Sequence, residues 1–486
     1  MGNVCCTIAL VLAGFMTQVD GQTLPKFTKR ILAKGLDNPW TIIYGPDHFL
    51  WITEAKGYRV LHMDPETGKV DTLLNATDMR NFPRYGSLKQ GKDKDKPWPQ
   101  GGMMGMALHP GLMKGEPFVF LAFIYDFEGK DREGDGHHPQ DGGFYFKTKL
   151  VRFTYDAVAH RLQDPQTICD TIPQSNDHNG GRMLLAEMHG KSFLFYSVGD
   201  MGAGQFKNAG RPNHAQDPHV YEGKILRFNT APDGDRDEGD AWVPNDNPFN
   251  TKNAQSAVWT IGHRNPQGLA KLTIHGKQLI YAAEHGPFSD DELNSIQKGK
   301  NYGHPLIIGY PDGNYNGLAA GVTDSSELPG YWNSTYPLIK NEQKMATTLN
   351  DYKPPMFSFY PTANDTLRNI LASIRAGKSR DWVSLAPSGI DVYSYDAIPG
   401  WKNSLLVASL KQGKIIQLKL NDAGDRVLAR HDYFKAEARY RAIAVSSDGT
   451  KIFAVTDNAE VTSGPSAEHH EAVDEKGAVI EWTYTP

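Results

Sequence analysis

Cysteine is almost missing from this chain. Of 3 cysteines in 486 residues, Cys5 and Cys6 fall near the start and only Cys169 lies further on. Residues 1–21 carry one short apolar run, from Thr7 to Met16, and read as a secretory signal peptide, although no Lys or Arg precedes the run. With that leader removed a single thiol is left, which excludes an intramolecular disulfide. Long apolar runs are missing too, since the leader's is too short for a membrane-spanning helix. An excess of charge is also absent. The net value of −5 gives no global attraction to nucleic acid, so any cationic cluster is local and therefore informative. Neither a G-x-G-x-x-G turn after a strand nor a G-x-S-x-G elbow occurs. These absences lead to the expectation of an exported protein, secreted or periplasmic, with no nucleic acid partner and no membrane span.

Glycine and proline are plentiful instead. Their counts of 48 and 30, with 39% hydrophobic residues, fit a turn-rich all-β chain better than a helical one. Six segments share one shape, a turn followed by a short apolar or aromatic run: 45–54, 114–121, 190–196, 276–281, 401–407 and 448–457. Most are followed by a second β-patterned stretch, at 59–63, 150–155, 224–228, 414–419 and 479–484. The fourth repeat matches least in its second half. Short strands in six repeats predict an all-β fold, a six-bladed β-propeller with long inter-strand loops, forming a single domain over 22–486. A β-sandwich competes, but leaves the repeated turn unexplained. The stretches 84–99, 126–147, 231–250 and 311–380 are expected to gather as loops on the two faces.

The strand before each repeated turn is the one expected to line the central channel. Its starts read Asn38-Pro39-Trp40, Gln100-Gly101-Gly102, Asp177-His178-Asn179-Gly180-Gly181-Arg182, His263-Arg264-Asn265-Pro266-Gln267, Ala386-Pro387-Ser388-Gly389 and Arg439-Tyr440-Arg441. These sets are polar, glycine-rich and unlike one another, whereas a purely structural repeat would keep them alike. Their common mouth is the expected site. Arg264, Lys411, Arg439 and Arg441 could face one ligand there, Arg439 and Arg441 sharing a strand face through their spacing of two. Gathering cations is costly without a compensating anion. That anion is either a ligand or Asp and Glu from neighbouring blades, and the two readings weigh equally at this point. His178, followed by Asn-Gly-Gly, suits proton abstraction with Asp200 as its orienting partner, or else is an ordinary hydrogen-bonded channel histidine. The segment Glu284-His285-Gly286-Pro287-Phe288-Ser289-Asp290-Asp291-Glu292 offers carbonyl oxygens and acids, the set that calcium accepts. Asp233-Gly234-Asp235-Arg236-Asp237-Glu238-Gly239 begins like an EF-hand, but its Gly239 comes one place late and no closing Glu is apparent, so it is taken as solvated loop. His137-His138 and Glu468-His469-His470-Glu471 are taken as surface.

Several of these segments together resemble the soluble, pyrroloquinoline quinone (PQQ)-dependent glucose dehydrogenases, within the wider glucose/sorbosone dehydrogenase family. The carrying motifs are Gly262 to Ala270, Glu284-His285-Gly286-Pro287 with Ser289-Asp290-Asp291-Glu292, Gly299-Lys300-Asn301-Tyr302-Gly303, Leu410-Lys411 with Gly413, and Arg439-Tyr440-Arg441. Asp177-His178 and Gly199-Asp200 add to them, and the similarity runs from about Leu36 to the C-terminus, weakening across 311–380. The family's fold is a six-bladed propeller. Its cofactor is a planar quinone with three carboxylates, which would give the cation cluster its anion.

The resemblance implies that Arg264, Asn265, Lys411, Arg439 and Arg441 hold the quinone, with Ser384 and Gln267 beside them. It implies that Gly286 and Pro287 carbonyls bind calcium, with further structural calcium near Tyr310 and Asp312 and around Glu342. His178, oriented by Asp200, would take the anomeric proton of an aldose, hydride would pass to the quinone, and Arg264 would stabilise the developing negative charge. Gln100, Asp177, Gln205, Phe206 and Trp382 stand at sugar-contacting positions. Three departures touch sugar choice: Trp40 replaces a smaller residue, Phe206 replaces a Leu, and Ser379 or Arg380 falls where the family has a Tyr. Expected partners are thus a small-molecule sugar and an electron acceptor of unspecified nature, and a homodimer is compatible with the chain. Two other functions compete: a calcium-dependent lactonase, and a non-catalytic secreted propeller that binds glycans or proteins.

Overall fold

The computed structural model describes residues 25–83, 98–130, 144–205, 208, 210–234, 240–321, 336–376, 378, 382–458 and 475–486. Their strands form six separate four-stranded antiparallel sheets. The first strand, β1 (Lys26–Ala33), belongs to the last sheet. Blade one is β2 (Pro39–Tyr44), β3 (Leu50–Glu54), β4 (Arg59–Met63) and β5 (Val70–Asn75). Blade two is β6 (Met103–Leu108), β7 (Phe118–Lys130), β8 (Phe144–Asp156) and β9 (Arg161–Gln174). Blade three is β10 (Met183–Met188), β11 (Lys191–Val198), β12 (Lys224–Asn229) and β13 (Val258–Ile261). Blade four is β14 (Pro266–Ile274), β15 (Lys277–Glu284), β16 (Asp291–Ile296) and, after helix α1 (Glu342–Thr348), β17 (Phe357–Phe359). Helix α2 (Asn364–Arg375) leads to blade five: β18 (Pro387–Tyr393), β19 (Ser404–Ser409), β20 (Ile415–Leu420) and β21 (Val427–Tyr433). Blade six is β22 (Tyr440–Val445), β23 (Lys451–Thr456), β24 (Val479–Thr485) and, outermost, β1.

The first strands of the blades touch in order around a ring, β2 to β6 to β10 to β14 to β18 to β22 and back to β2. That is the six-bladed propeller the repeat predicts, and the sandwich is excluded. The repeated turn-plus-apolar segments are the second strands, while the polar, glycine-rich sets before them begin the inner strands. Strands such as β3, β19 and β22 are buried along their whole length because neighbouring blades cover both faces. One such interface packs Trp51, Val60, Met103, Val119, Leu121, Val151 and Phe153 between blades one and two.

Five of the six inner strands carry a register shift at their channel-mouth end, at Pro39/Thr41, Met103/Met106, Pro266/Gly268, Pro387/Ile390 and Tyr440/Ala442. A bulge kinks the strand and re-aims its side chains, so the polar starts turn inward just where the channel opens. Deeper in the channel, buried Arg182 donates to Gln267 O at 2.9 Å, Trp40 O and Thr41 Oγ1 at 3.1 Å, and Arg441 O at 3.5 Å. One guanidinium thus ties inner strands of blades one, three, four and six.

The fourth blade explains why its repeat is faint. β16 places Asp291, Glu292 and Asn294 in the interior, where they bond to the mouth rather than fill an apolar layer. The excursion between β16 and β18 builds a small core from Tyr315, Leu318, Ile339, Leu367 and Leu371, joined by Phe288 from the segment before β16. No helix among the described residues is long and apolar enough to cross a membrane. Residues 1–21, with the expected leader, lie outside the described residues, as do His137, His138 and the segment 468–471.

Candidate active site

His178 precedes β10, Asp200 follows β11 and Arg264 precedes β14, so three chain segments of blades three and four converge. Gly199 makes this approach feasible: a Cβ there would lie 2.0 Å from His178 O and 3.1 Å from Arg264 O. The next residue, Asp200, donates its N–H to Arg264 O at 2.7 Å. His178 itself sits at φ +49°, a left-handed conformation uncommon outside glycine. This turns its buried ring onto the carboxylate, with Nδ1 2.7 Å from Asp200 Oδ1.

The proton arrangement follows from which groups can only donate or only accept. Arg264 Nη2 donates to Gln205 Oε1 at 3.1 Å, which fixes the orientation of the Gln205 amide. The amide nitrogen then faces Asp177 Oδ2 at 3.2 Å and His178 Nε2 at 3.0 Å. His178 Nε2 is therefore the acceptor, and Nδ1 carries the hydrogen given to Asp200. Burial opposes the charge of Asp200, but His178 and then His304 outweigh it and hold the carboxyl well below the ordinary range. Gln100 completes the string, with Nε2 3.4 Å from Asp177 Oδ1 and Oε1 accepting from Asn179 N at 2.9 Å.

The four expected cations are all buried at this mouth. Arg441 Nη1 donates to Gln267 Oε1 at 2.6 Å and Nη2 pairs with Asp457, which also lies 3.8 Å from Arg439. Neutralisation by a neighbouring acid thus holds for that pair, with one carboxylate serving two guanidiniums. Arg264 makes no ion pair among the described residues; its Nη1 reaches His285 O at 3.3 Å. Lys411 donates to Trp382 O, and its ammonium stands 4.8 Å from the Trp382 ring centre. Burial pushes Arg439 down from its ordinary value, against the pull of Asp457. Three buried donors at the mouth, Arg264 Nε, Asn265 Nδ2 and Arg441 Nε, have no partner among the described residues. Buried donors rarely stay unpaired, and a planar, acceptor-rich anion fits them.

Behind Arg264, Glu284 accepts His263 Nδ1 at 3.0 Å and Arg264 N at 2.9 Å. Asn294 Nδ2 bridges Glu284 and Glu292, 2.8 Å from each. Burial and the charge of Glu284 push Glu292 well up, while the pull of His263 outweighs burial and brings Glu284 down. Gly286 and Pro287 line a small pocket with Arg264, Glu284, His285, Glu292 and His304. No group of three or more His, Cys, Asp or Glu side chains among the described residues is placed to hold a metal, so an ion there would depend on carbonyl oxygens. Ser384 Oγ donates to Asp291 Oδ2 at 2.8 Å and accepts from Ala386 N at 3.0 Å. Tyr310 and Asp312 lie on a separate loop pinned by buried Glu342, which accepts from Ile308 N, Gly313 N and Tyr315 N. Half-buried Trp382 meets Phe288 edge-on, ring centres 5.3 Å apart. Phe206, Ser379 and Arg380 lie outside the described residues. A larger cavity of about 510 Å³, lined by His214, Tyr221, Glu222 and Phe249, contains none of the expected site residues.

Sequence reading misses His304, Asn213 and Tyr336, which all reach Asp200. The position of His304 directly after Gly299-Lys300-Asn301-Tyr302-Gly303 was the available sign; Tyr336 sits where no repeat marks the chain.

The channel mouth of the propeller thus joins a histidine–carboxylate pair to clustered guanidiniums, and comparison with known proteins gives the class. The family described as Glucose / Sorbosone dehydrogenase matches residues 36–339 and 376–462, and the chain belongs to it. It is accordingly an oxidoreductase of the sugar-dehydrogenase type. Quinoprotein glucose dehydrogenase B of Acinetobacter calcoaceticus is 31% identical, covering 94% of this chain and 91% of that protein. Aldose sugar dehydrogenase YliI of Escherichia coli is 25% identical, covering 82% of this chain and 81% of that protein. The PQQ-bound aldose sugar dehydrogenase of Streptomyces coelicolor shares the fold, with TM-score 0.60 at 21% identity over 95% of this chain and 100% of that one.

Proposed function

We propose that the protein oxidises an aldose, glucose-like in its hydroxyl pattern, at the anomeric carbon to the lactone, with pyrroloquinoline quinone and calcium. The observation that carries this reading is the bonded string Arg264–Gln205–His178–Asp200, which makes His178 Nε2 the unprotonated, accepting nitrogen, held by an amide that a substrate hydroxyl can replace. When bound, the quinone supplies the hydride acceptor and calcium polarises it. Arg264, Asn265, Lys411, Arg439 and Arg441 would hold it, in keeping with the three unpartnered buried donors. Ser384, through Asp291, would shape the rim, and Gly286 and Pro287 would offer carbonyls to calcium. The Tyr310–Asp312 loop would take a structural calcium.

The residues divide the work. His178 Nε2 takes the proton of the anomeric hydroxyl, which displaces the Gln205 amide from that nitrogen. Asp200 stabilises the imidazolium that forms, as an orienting carboxylate does. Arg264 stabilises negative charge on the reacting oxygens. Gln100, Asp177 and Gln205 bind sugar hydroxyls, and Phe206 and Trp382 offer flat faces to the ring. A lactonase would need carboxylates around a channel metal and has no use for the four cations buried at the mouth. A leader over 1–21, a single catalytic domain over 22–486, secretion or periplasmic export, an external electron acceptor and a homodimer belong to the same proposal.

The test is reconstitution. Protein stripped of metal and quinone should reduce a dye with aldoses only after both are restored, and the product should be the lactone by NMR. Turnover by stripped protein with neither added overturns the proposal.

A further inference from the structure

The carboxylate that orients His178 also serves a second imidazole. Asp200 is fully buried, and its Oδ1 accepts from His178 Nδ1 at 2.7 Å and Gly202 N at 3.0 Å. Its Oδ2 accepts from His304 Nε2 at 2.8 Å, Asn213 Nδ2 at 3.1 Å and the Tyr336 hydroxyl at 3.1 Å. A carboxylate has about four lone-pair sites, so these donors saturate it. The Tyr336 ring stands edge-on to His304, centres 5.9 Å apart, and fixes its plane. Burial pushes His304 down against the pull of Asp200, so it stands as a neutral N–H donor. A charged partner would compete with His178 far more strongly.

We propose that His304 is a positioning residue: by occupying Oδ2 it limits the negative charge Asp200 delivers to His178, and so sets how readily that imidazole takes a proton. This rests on the reading of His178 as the base. The groups facing His178 are Asp177, Asp200, Gln205 with Arg264 behind it, and His285. Those facing His304 are Asp200, Arg264, Glu284 and Tyr336. Tyr336 and Asn213 keep their own bonds to Oδ2 and do not take the place of the His304 N–H. Taking that donor away leaves more of the carboxylate's charge to His178, which then holds its proton to higher pH.

The variants are His304→Phe, which keeps a ring without the donor, and His304→Gln, whose amide can restore an N–H near the Nε2 position. The deciding readout is ring-nitrogen NMR of His178 in protein without cofactor. His178 should titrate roughly 0.5–1 pH unit higher in His304→Phe, a change of up to about tenfold in proton affinity, and return toward the wild-type value in His304→Gln. Tyr336→Phe removes a second donor from the same oxygen, should shift His178 in the same direction, and serves if His304→Phe does not fold. An unmoved His178 titration in the folded variants overturns the proposal and leaves His304 a packing residue. In reconstituted enzyme the acid limb of kcat/KM should move with the ring. A ring shift without a limb shift supports the positioning role and overturns instead the assignment of His178 as base.

Discussion

Gln205 decides which nitrogen of His178 can act. Because Arg264 fixes its amide, it donates to Nε2, and the proton stays on the Asp200 side. Replacing Asp200 with Asn allows the opposite tautomer, with Nδ1 as acceptor and Nε2 protonated. Loss of kcat on the order of 10³–10⁴ is expected, the scale at which neutralising an orienting carboxylate disables a histidine base. His178→Ala should abolish turnover while quinone still binds, since the cation cluster is untouched; wild-type rates in that variant would remove the histidine from the chemistry. Asp200→Asn also bears on stability. The folded carboxyl lies below its ordinary value, so its stabilisation is complete above the unfolded value of about 4 and fades as pH falls through and below it. Urea titrations should find the variant about 2–4 kcal/mol less stable at pH 7, with the gap closing from pH ~4 to pH ~2. A gap constant across that range would mean that the carboxylate's charge contributes nothing.

At the scale of elements, the bulged starts of the inner strands deliver the site, and loops hold it from behind. Lys224, the first residue of β12, donates from its buried Nζ to His214 O at 2.9 Å, Ala215 O at 3.0 Å and Glu222 O at 2.6 Å. Burial pushes its ammonium down to about 7. The loop it gathers carries Asn213, a donor to Asp200. Lys224→Met should therefore cost about 3 kcal/mol in a denaturation midpoint and lower kcat several-fold. Unchanged kcat in a destabilised variant would separate the loop from the dyad. The same elements show why the sequence was legible only in part. Second strands announce themselves because a turn precedes an apolar run, and His178, Arg264 and Arg439 follow from their place before those turns. β16 hides because Asp291, Glu292 and Asn294 are buried as hydrogen-bonding groups, which breaks the apolar pattern. His304 and Tyr336 stay hidden because the excursion that brings them to Asp200 follows no blade period, and such contacts depend on long-range packing that spacing does not encode.

Over the whole molecule the question is what closes the ring. The first described strand lies against the last, β1 pairing with β24 from Lys26↔Thr485 to Ala33↔Val479. Phe27 packs on Phe434 at 4.9 Å and on Trp401 at 5.5 Å, so the entry strand reaches blade five as well as blade six. Arg30 adds a fork onto Glu481, at 3.2 and 3.0 Å. Opposite ends of the chain thus share one sheet, and Arg182 joins four inner strands at the centre. A propeller held at rim and hub unfolds as one unit, because opening either frees blades that have no other cover. Deleting residues up to Lys34 would leave β24 as an unpaired edge with apolar Val479 and Ile480 beside it, a template for association. That shortened chain should melt well below wild type and aggregate on heating, while Phe27→Ala, which keeps the ladder, should cost only about 2 kcal/mol. If the deletion left the melting temperature unchanged, ring closure would have to come from the inner strands alone, with Arg182→Met then the more damaging change.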